Sequence, residues 1–326
     1  MQYCGVDISK AKFDSQLISE GVEKSKGKQF ENNPSGIAAF ARWLSKNSDE
    51  PIHVCMEATG RLWEPLAEYL SDAGIKVSVV NPLKIKGFAM SELRRSKTDS
   101  IDALVIARFC RVHNPPAWIA PSGLQKQIRD MQRYLCSIKE MRTQEKNRLQ
   151  SGVLEARVRT EIEAHIAYLD QREETMEAEI LRLVRADKEL SRKYDLLNSI
   201  KGVGQATAVT FLSELNTENF ACARDLEVFC GMAPRAFESG SSVRRKKKIS
   251  KVGNRWVRAI LFMPALAAKR SNPQMKEFAK RLGSSSKPKK VIACAVMRKL
   301  LRLMFVVVTT GKPYDPNYCS AKSLAA

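Results

Sequence analysis

No proline interrupts the chain between Leu124 and Leu190, and that stretch limits the available folds more than any other feature. Apolar side chains recur there at three- and four-residue steps. Ile128, Met131, Leu135, Ile138 and Met141 come first; after Ser151 and Gly152 come Leu154, Val158, Ile162, Leu169, Met176, Ile180 and Leu183. That spacing lays one apolar stripe along a helix. Charges of both signs fill the other positions and cancel, with 13 basic and 13 acidic side chains over residues 126–190. The segment reads as long amphipathic helices, either a hairpin or a coiled coil. Its apolar stripe can pack on its own chain or on a second copy, and its neutrality suits a protein partner better than nucleic acid. A helical connector at 124–190 leaves 1–123 and 191–326 as separate domains, as a chain of this length favours.

The first of these domains alternates strands and helices. Residues 2–20 hold two β-like runs joined by a turn around Ser9 to Lys12, and Gln29 and Phe30 add a third. Asn33 and Pro34 precede the helix GIAAFARWLSKN. IHVCME is a strand, Leu62 to Ala73 a helix, and KVSVVNP a strand. LKIKGFAMSELRRSK reads as a basic loop before the helical TDSIDALVIARFCRV. The β-β-β-α-β-α-β order describes a layered α/β domain with a mixed sheet. In the last domain we expect mostly helix. LLNSIKGVGQATAVTFLSEL opens it, GMAPRAFESGSSVRRKKKISKVGN forms a loop, and helices follow over Arg255 to Lys269 and Pro288 to Thr310.

The net charge of +20 is concentrated at one end. Residues 191–326 carry 26 basic and 8 acidic side chains, a net of +18, whereas residues 1–125 carry only +2. A solubilising surface mixes its signs; a one-sided block points to a polyanion, here nucleic acid. The eight cysteines are scattered, with no CxxC pair and no histidine at zinc-ligand spacing, so structural zinc is not expected and a reducing compartment is. The apolar run around Leu300 to Thr310 is too short and too close to Arg298, Lys299 and Arg302 to span a bilayer. No leader opens the chain, and we expect a cytoplasmic protein with no membrane partner.

Four carboxylates carry the chemistry. Asp7 and Glu57 end apolar strands, and Asp99 and Asp102 are three apart on a helix and share a face. Each alone reads as a cap or a surface charge. Gathered at one sheet edge they repel unless a cation neutralises them, and hard oxygen donors suit Mg²⁺ or Mn²⁺ in phosphodiester cleavage.

Two further elements lie in the basic segment. Ser199 to Ala208 has the form of a helix-hairpin-helix, in which Gly202 and Gly204 permit the turn and Lys201 stands beside it. Amides at the following helix N-terminus can take a phosphate without reading sequence. Glu238-Ser239-Gly240-Ser241-Ser242-Val243 is followed by Arg244, Arg245, Lys246, Lys247, Lys248 and Lys251. Composition alone favours a phosphate-binding loop over a nucleophile, since a serine hydroxyl needs activation. Arg255 and Arg258 continue the cationic surface into the next helix.

Taken together, GVDISKAKFD, VCMEATG, KTDSIDA, IKGVGQATA, GMAPRAFESGSS, ISKVGNRWVRAILFMPA and GKPYDP resemble, in order and across the chain, the Piv/MooV-like DEDD transposases of bacterial insertion sequences. These are the bridge-RNA-guided recombinases. The resemblance implies a RuvC-like (RNase H-like) N-terminal domain with Asp7, Glu57, Asp99 and Asp102 as metal ligands. It implies a helical connector and a C-terminal transposase domain with a catalytic serine that forms a covalent link to DNA. Ser239, the serine before glycine, is the best match, with Ser241 next. It also implies target and donor DNA, a structured guide RNA, and a homo-oligomer, dimer or tetramer, in which one subunit completes another's active centre. The alternative is a metal-dependent endonuclease of the Holliday-junction type with no covalent step, which leaves the serine loop and the +18 segment without a role. A non-catalytic binder with a decayed nuclease fold would not keep the full acidic set.

Overall fold

Burial along each strand follows its place in the sheet. Strand β1 (Gln2–Ile8) buries Tyr3 to Val6 without a break, because both of its faces are covered. In β2 (Lys12–Ser19) Phe13, Ser15 and Leu17 are buried at every second position, whereas β3 (Lys26–Glu31) buries only Phe30, as an edge strand does. The computed structural model describes residues 1–21, 25–58, 60–92, 99–152, 155–239, 243–285 and 287–316, with backbone alone between 235 and 248.

After helix α1 (Pro34–Asn47), capped by Asn33, come β4 (Ile52–Glu57), α2 (Glu64–Asp72) and β5 (Lys76–Val80). The sheet order is β3-β2-β1-β4-β5, antiparallel through β3-β2-β1 and parallel through β1-β4-β5. Helix α3 (Pro82–Ser91) occupies most of the stretch expected to be a loop. Asn81 accepts a hydrogen bond from the Leu83 amide, and Pro82 presets the first turn, so the cap decides where the apolar spacing does not. Helix α4 (Asp99–His113) follows. Phe40 and Leu44 of α1 and Leu66 and Leu70 of α2 pack with Phe13, Val54 and Met56. Ile85 of α3 and Ile106 and Phe109 of α4 pack with Tyr3, Ile18 and Cys55 in a second core. The result is a three-layered α/β unit, Met1–Ala120.

The second unit, Pro121–Ala326, begins with α5 (Gly123–Gln150) and α6 (Ala156–Ala186). Side-chain contacts link Lys139 to Glu177, Arg142 to Asp170 and Glu145 to His165. Partner numbers fall as residue numbers rise, so the helices form an antiparallel hairpin. Its base is not a separate body: Ile128, Leu135, Ile180 and Val184 join the core of the residues that follow.

That core is built by α7 (Lys188–Asn198), α8 (Gln205–Glu214), α9 (Ala223–Phe229), α10 (Arg255–Ile260), α11 (Phe262–Ser271), α12 (Pro273–Ser284) and α13 (Lys289–Thr310). Leu300, Leu301 and Met304 of α13 are fully buried at its centre. The expected helix from Arg255 to Lys269 is broken at Leu261, just ahead of Pro264, and α12, capped by Asn272, has no counterpart among the expected helices. Before α10 the expected loop is instead a ribbon of β6 (Pro234–Ser239) and β7 (Val243–Ile249). The strands pair through their backbones, and Arg244 to Lys248 carry none of the apolar alternation by which strands are recognised. Among the described residues no helix is long and apolar enough to cross a membrane.

Candidate active site

Two parallel strands and one crossing helix gather the carboxylates. Val6 of β1 lies beside Met56 of β4, so the next residues, Asp7 and Glu57, come side by side at the ends of the two strands. Asp99 and Asp102 occupy the first turn of α4. That helix rests directly on β1 at Gly5, where a Cβ would lie 2.0 Å from the Ala103 carbonyl oxygen and 2.2 Å from the Ala107 nitrogen. The other end of the same turn is tied to β2, because Gln16 Nε2 donates to Ser100 Oγ at 2.8 Å. A Cβ at Gly27 would lie 2.2 Å from Gln16 Nε2, so the glycine leaves that side chain free to take this position.

Asp7 is the centre of the cluster. Burial, and then the charges of Glu57, Asp102, Asp99 and Asp14 in decreasing order, push its carboxyl up to about 6. The structure thus brings the four acidic residues into one electrostatic neighbourhood. It adds a fifth, Asp14, which faces Asp7 across the β1–β2 ladder and accepts from Gln29 Nε2 at 3.0 and 3.2 Å. The sequence held a signal for it: a hairpin turning around Ser9 to Lys12 pairs position 7 with position 14. As they stand, no three of these side chains among the described residues converge closely enough to hold one ion. Their chemistry nevertheless fits a hard divalent cation, since a carboxyl whose proton affinity is raised by burial and by anionic neighbours is a site that positive charge would relieve.

Ser239 ends β6 opposite Val243, at the tip of the ribbon in the second unit. Ser241 and Ser242 lie outside the described residues, as do the side chains of Ser239, Arg244, Arg245, Lys246, Lys247 and Lys248. The base of the ribbon is closely braced. Lys251 N donates to Gly231 O at 3.0 Å, and Asn254 N to Phe229 O at 3.1 Å. Gly253 has a φ of +125°, and a Cβ there would lie 1.9 Å from Phe229 O, so no other residue fits. Arg258 Nη1 donates to the carbonyls of Cys230, Gly253 and Asn254, which makes it a brace of the ribbon base. Lys251 and Arg255 are exposed, Arg255 with its guanidinium 4.6 Å from the Trp256 ring.

Beneath this base runs a polar chain that the sequence does not suggest. Asn254 caps α10 through Oδ1 and donates from Nδ2 to Glu214 Oε2 at 2.8 Å. Arg133 of α5 holds the same carboxylate with two bonds, 2.6 and 2.8 Å, and the Glu214 side chain is only 2% exposed. In the helix-hairpin-helix turn, Gly202 has a φ of +101° and packs against Ala268 of α11, while Lys201 and the α8 cap Gly204 stay exposed.

These two sites fall in two separate blocks of family similarity. A transposase family model matches residues 4–157, and the model described as "Transposase IS116/IS110/IS902 family" matches residues 194–280. The chain is 32% identical to the "Pilin gene-inverting protein" of Moraxella bovis over 96% of its own length and 97% of that protein's. The chain belongs to the IS116/IS110/IS902 family of transposases. The pilin gene-inverting protein of Moraxella lacunata is likewise 32% identical. The "Transposase for insertion sequence element IS1328" of Yersinia enterocolitica is 28% identical over 76% of this chain and 72% of its own. The transposase is an enzyme acting on DNA. The first matched block contains the acidic cluster and the second the ribbon and the helix-hairpin-helix turn.

Proposed function

We propose that this transposase is a site-specific recombinase that cuts and rejoins target and donor DNA through a covalent serine intermediate, with its acidic cluster serving a divalent ion. The observation that carries the reading is the single environment of Asp7, whose proton affinity is raised by burial and then by the charges of Glu57, Asp102 and Asp99 together. The strand order, three antiparallel strands continued by two parallel ones, supports a RuvC-like, RNase H-like assignment.

Asp7, Glu57, Asp99 and Asp102 would hold Mg²⁺ or Mn²⁺. When bound, the ion would withdraw charge from a phosphoryl oxygen and lower the barrier to substitution at phosphorus. Ser239 supplies the attacking hydroxyl: its Oγ bonds to phosphorus, the deoxyribose oxygen leaves with the bonding pair, and the serine proton passes to solvent or the leaving oxygen. In this reading the serine would lie next to the basic run at 244–248, which suits a phosphate, with Lys251 and Arg255 following in sequence. Lys201, Gly202 and Gly204 take backbone phosphate at the helix-hairpin-helix turn.

In this reading the domains are 1–123, 124–190 and 191–326, with the middle hairpin available for self-association into a dimer or tetramer. The guide RNA rests on family resemblance, and pairing by RNA would leave the protein to read backbone and shape.

The test uses the intact protein with its element's DNA junction, Mg²⁺ and cellular RNA, followed by denaturation. A protein–DNA adduct lost in Ser239→Ala and kept in Ser241→Ala supports the reading. The reverse pattern moves the nucleophile to Ser241, and cleaved ends without any adduct establish the Holliday-junction-type nuclease instead. Asp102→Asn should abolish cleavage and leave RNA binding nearly intact.

A further inference from the structure

The helix-hairpin-helix turn does not stand alone. Asn272, fully buried at the start of α12, donates from Nδ2 to the carbonyl of Lys201 at 3.4 Å. Its Oδ1 accepts from the Met275 amide and from the Tyr314 hydroxyl, the latter at 2.9 Å. The Tyr314 amide in turn donates to Ser199 Oγ at 2.8 Å, on the other side of the turn. Gly202, with the Cβ it lacks, would sit 2.6 Å from Ala268 Cα at the end of α11. Turn, α11 and α12 are therefore fixed to one another, and the GKPYDP segment supplies the clamp.

The surface beyond the clamp is one-sided in charge. Residues 262–310 hold eleven basic side chains and a single acid, Glu277. Arg298 and Arg302 are paired with Glu227 of α9. By contrast, Lys276, Lys280 and Arg281 of α12 are exposed, and among the described residues none of them is in an ion pair. Lys276 and Lys280 are one helical turn apart on one face. At the far end Arg281 and Lys299 flank the Phe278 ring at 5.7 and 4.7 Å. Burial and then the charge of Arg281 pull the Lys299 ammonium below its ordinary range, and the opposing charge of Glu277 does not offset them.

We propose that α12, through Lys276, Lys280 and Arg281 with Lys299 beside them, continues the phosphate-binding surface of the helix-hairpin-helix turn, so that turn and helix grip one nucleic-acid backbone. This deepens the reading of Lys201 as a phosphate contact and rests on it. The twelve residues of α12 extend about 18 Å, the axial length of roughly five phosphates on one strand. That face carries three basic side chains against one acid, Glu277, and it is locked to a phosphate-binding turn, which suits a backbone track.

The experiment measures binding of the full chain to duplex DNA and, separately, to an RNA hairpin with the same number of phosphates, across a salt series. Lys276→Gln/Lys280→Gln/Arg281→Gln should weaken binding at least tenfold near physiological salt. It should also flatten the dependence of log affinity on log salt by about 0.9 for each duplex phosphate that the variant no longer neutralises. A matched triple on α6 and α7, Arg157→Gln/Arg182→Gln/Lys188→Gln, should change neither by as much. Wild-type affinity and slope in the α12 triple, or an equal loss in the control triple, would overturn the proposal. If Lys201→Gln weakens binding and the α12 triple does not, the turn acts without the helix; if neither does, both readings fall. Loss confined to DNA or to RNA identifies which backbone lies on the track. Should the triple fail to fold, Lys276→Gln/Lys280→Gln carries the same comparison, with a thermal melt as the check.

Discussion

Gly5 of β1 lies directly under the carbonyl of Ala103 in α4, with 2.0 Å between that oxygen and the position a Cβ would take. The atoms concerned are backbone, so neither side can yield by changing a rotamer. The contact fixes the height of α4 above the sheet, and with it Asp102, one residue before Ala103. A glycine in the middle of a buried strand is otherwise unfavourable, and here it brings two acidic residues to the end of the strand that carries the third.

Gly5→Ala should therefore lift α4 and separate Asp99 and Asp102 from Asp7. Overpacking of this kind costs about 1–3 kcal/mol or more, read as a lower denaturation midpoint. DNA cleavage should fall by far more than the folded fraction does, while DNA binding by the second unit persists. Cleavage that merely tracks the folded fraction would mean that α4 height is not what positions the carboxylates.

Asp7 makes stability depend on pH in a direction unusual for a carboxylate. Its folded value is raised to about 6 from 3.8. The folded state thus binds this proton more tightly than the unfolded chain does. The associated stability is complete below the unfolded value and is lost as pH rises through about 6. In chelator, the melting temperature should contain a component that declines between roughly pH 4 and pH 6. Asp7→Asn should remove that component and raise the neutral-pH melting temperature while abolishing cleavage. A melting temperature in Asp7→Asn that keeps the full wild-type decline would show that Asp7 is not the group responsible.

How much of this is legible in the sequence depends on the range of the interaction. Asp7 and Glu57 can be picked out because each breaks an apolar strand, a local signal. Asp14 needs one step more, the register of a hairpin about its turn. The β6–β7 ribbon has the sequence of a loop because Arg244 to Lys248 show no apolar alternation, and its strands are recognisable only from their backbone pairing. Helix α3 is hidden because its signal is a cap, Asn81 with Pro82, in a stretch whose basic residues suggest a loop. The Arg133–Glu214–Asn254 chain gives no local signal at all, since its members come together only when α5, α8 and α10 pack.

That chain should be the support on which the ribbon stands. Glu214 is buried, and removing its carboxylate leaves the Arg133 guanidinium without a partner. Glu214→Ala should cost about 3 kcal/mol, the lower end of the range for a broken buried pair because Arg133 is partly exposed. The amides of residues 243–250 should exchange faster in hydrogen-exchange measurements, and adduct formation should slow. Unchanged exchange across β7 alongside the stability loss would confine the chain's role to the core.

The clamp at Asn272 gives the last prediction. Tyr314→Phe removes one hydroxyl from a buried acceptor, a loss of about 1 kcal/mol. Asn272→Ala removes in addition the cap of α12 and the bond to the Lys201 carbonyl, and should cost about twice as much or more. Because both residues act through one hydrogen bond, their double variant should fall short of the sum by about 0.5–1 kcal/mol. Strict additivity would mean that each residue holds its own element independently. Coupling would mean that the segment at Tyr314 locks the start of α12 to the turn at Lys201. The same pair should then weaken duplex binding even though neither side chain, one fully buried and the other partly, belongs to the cationic face.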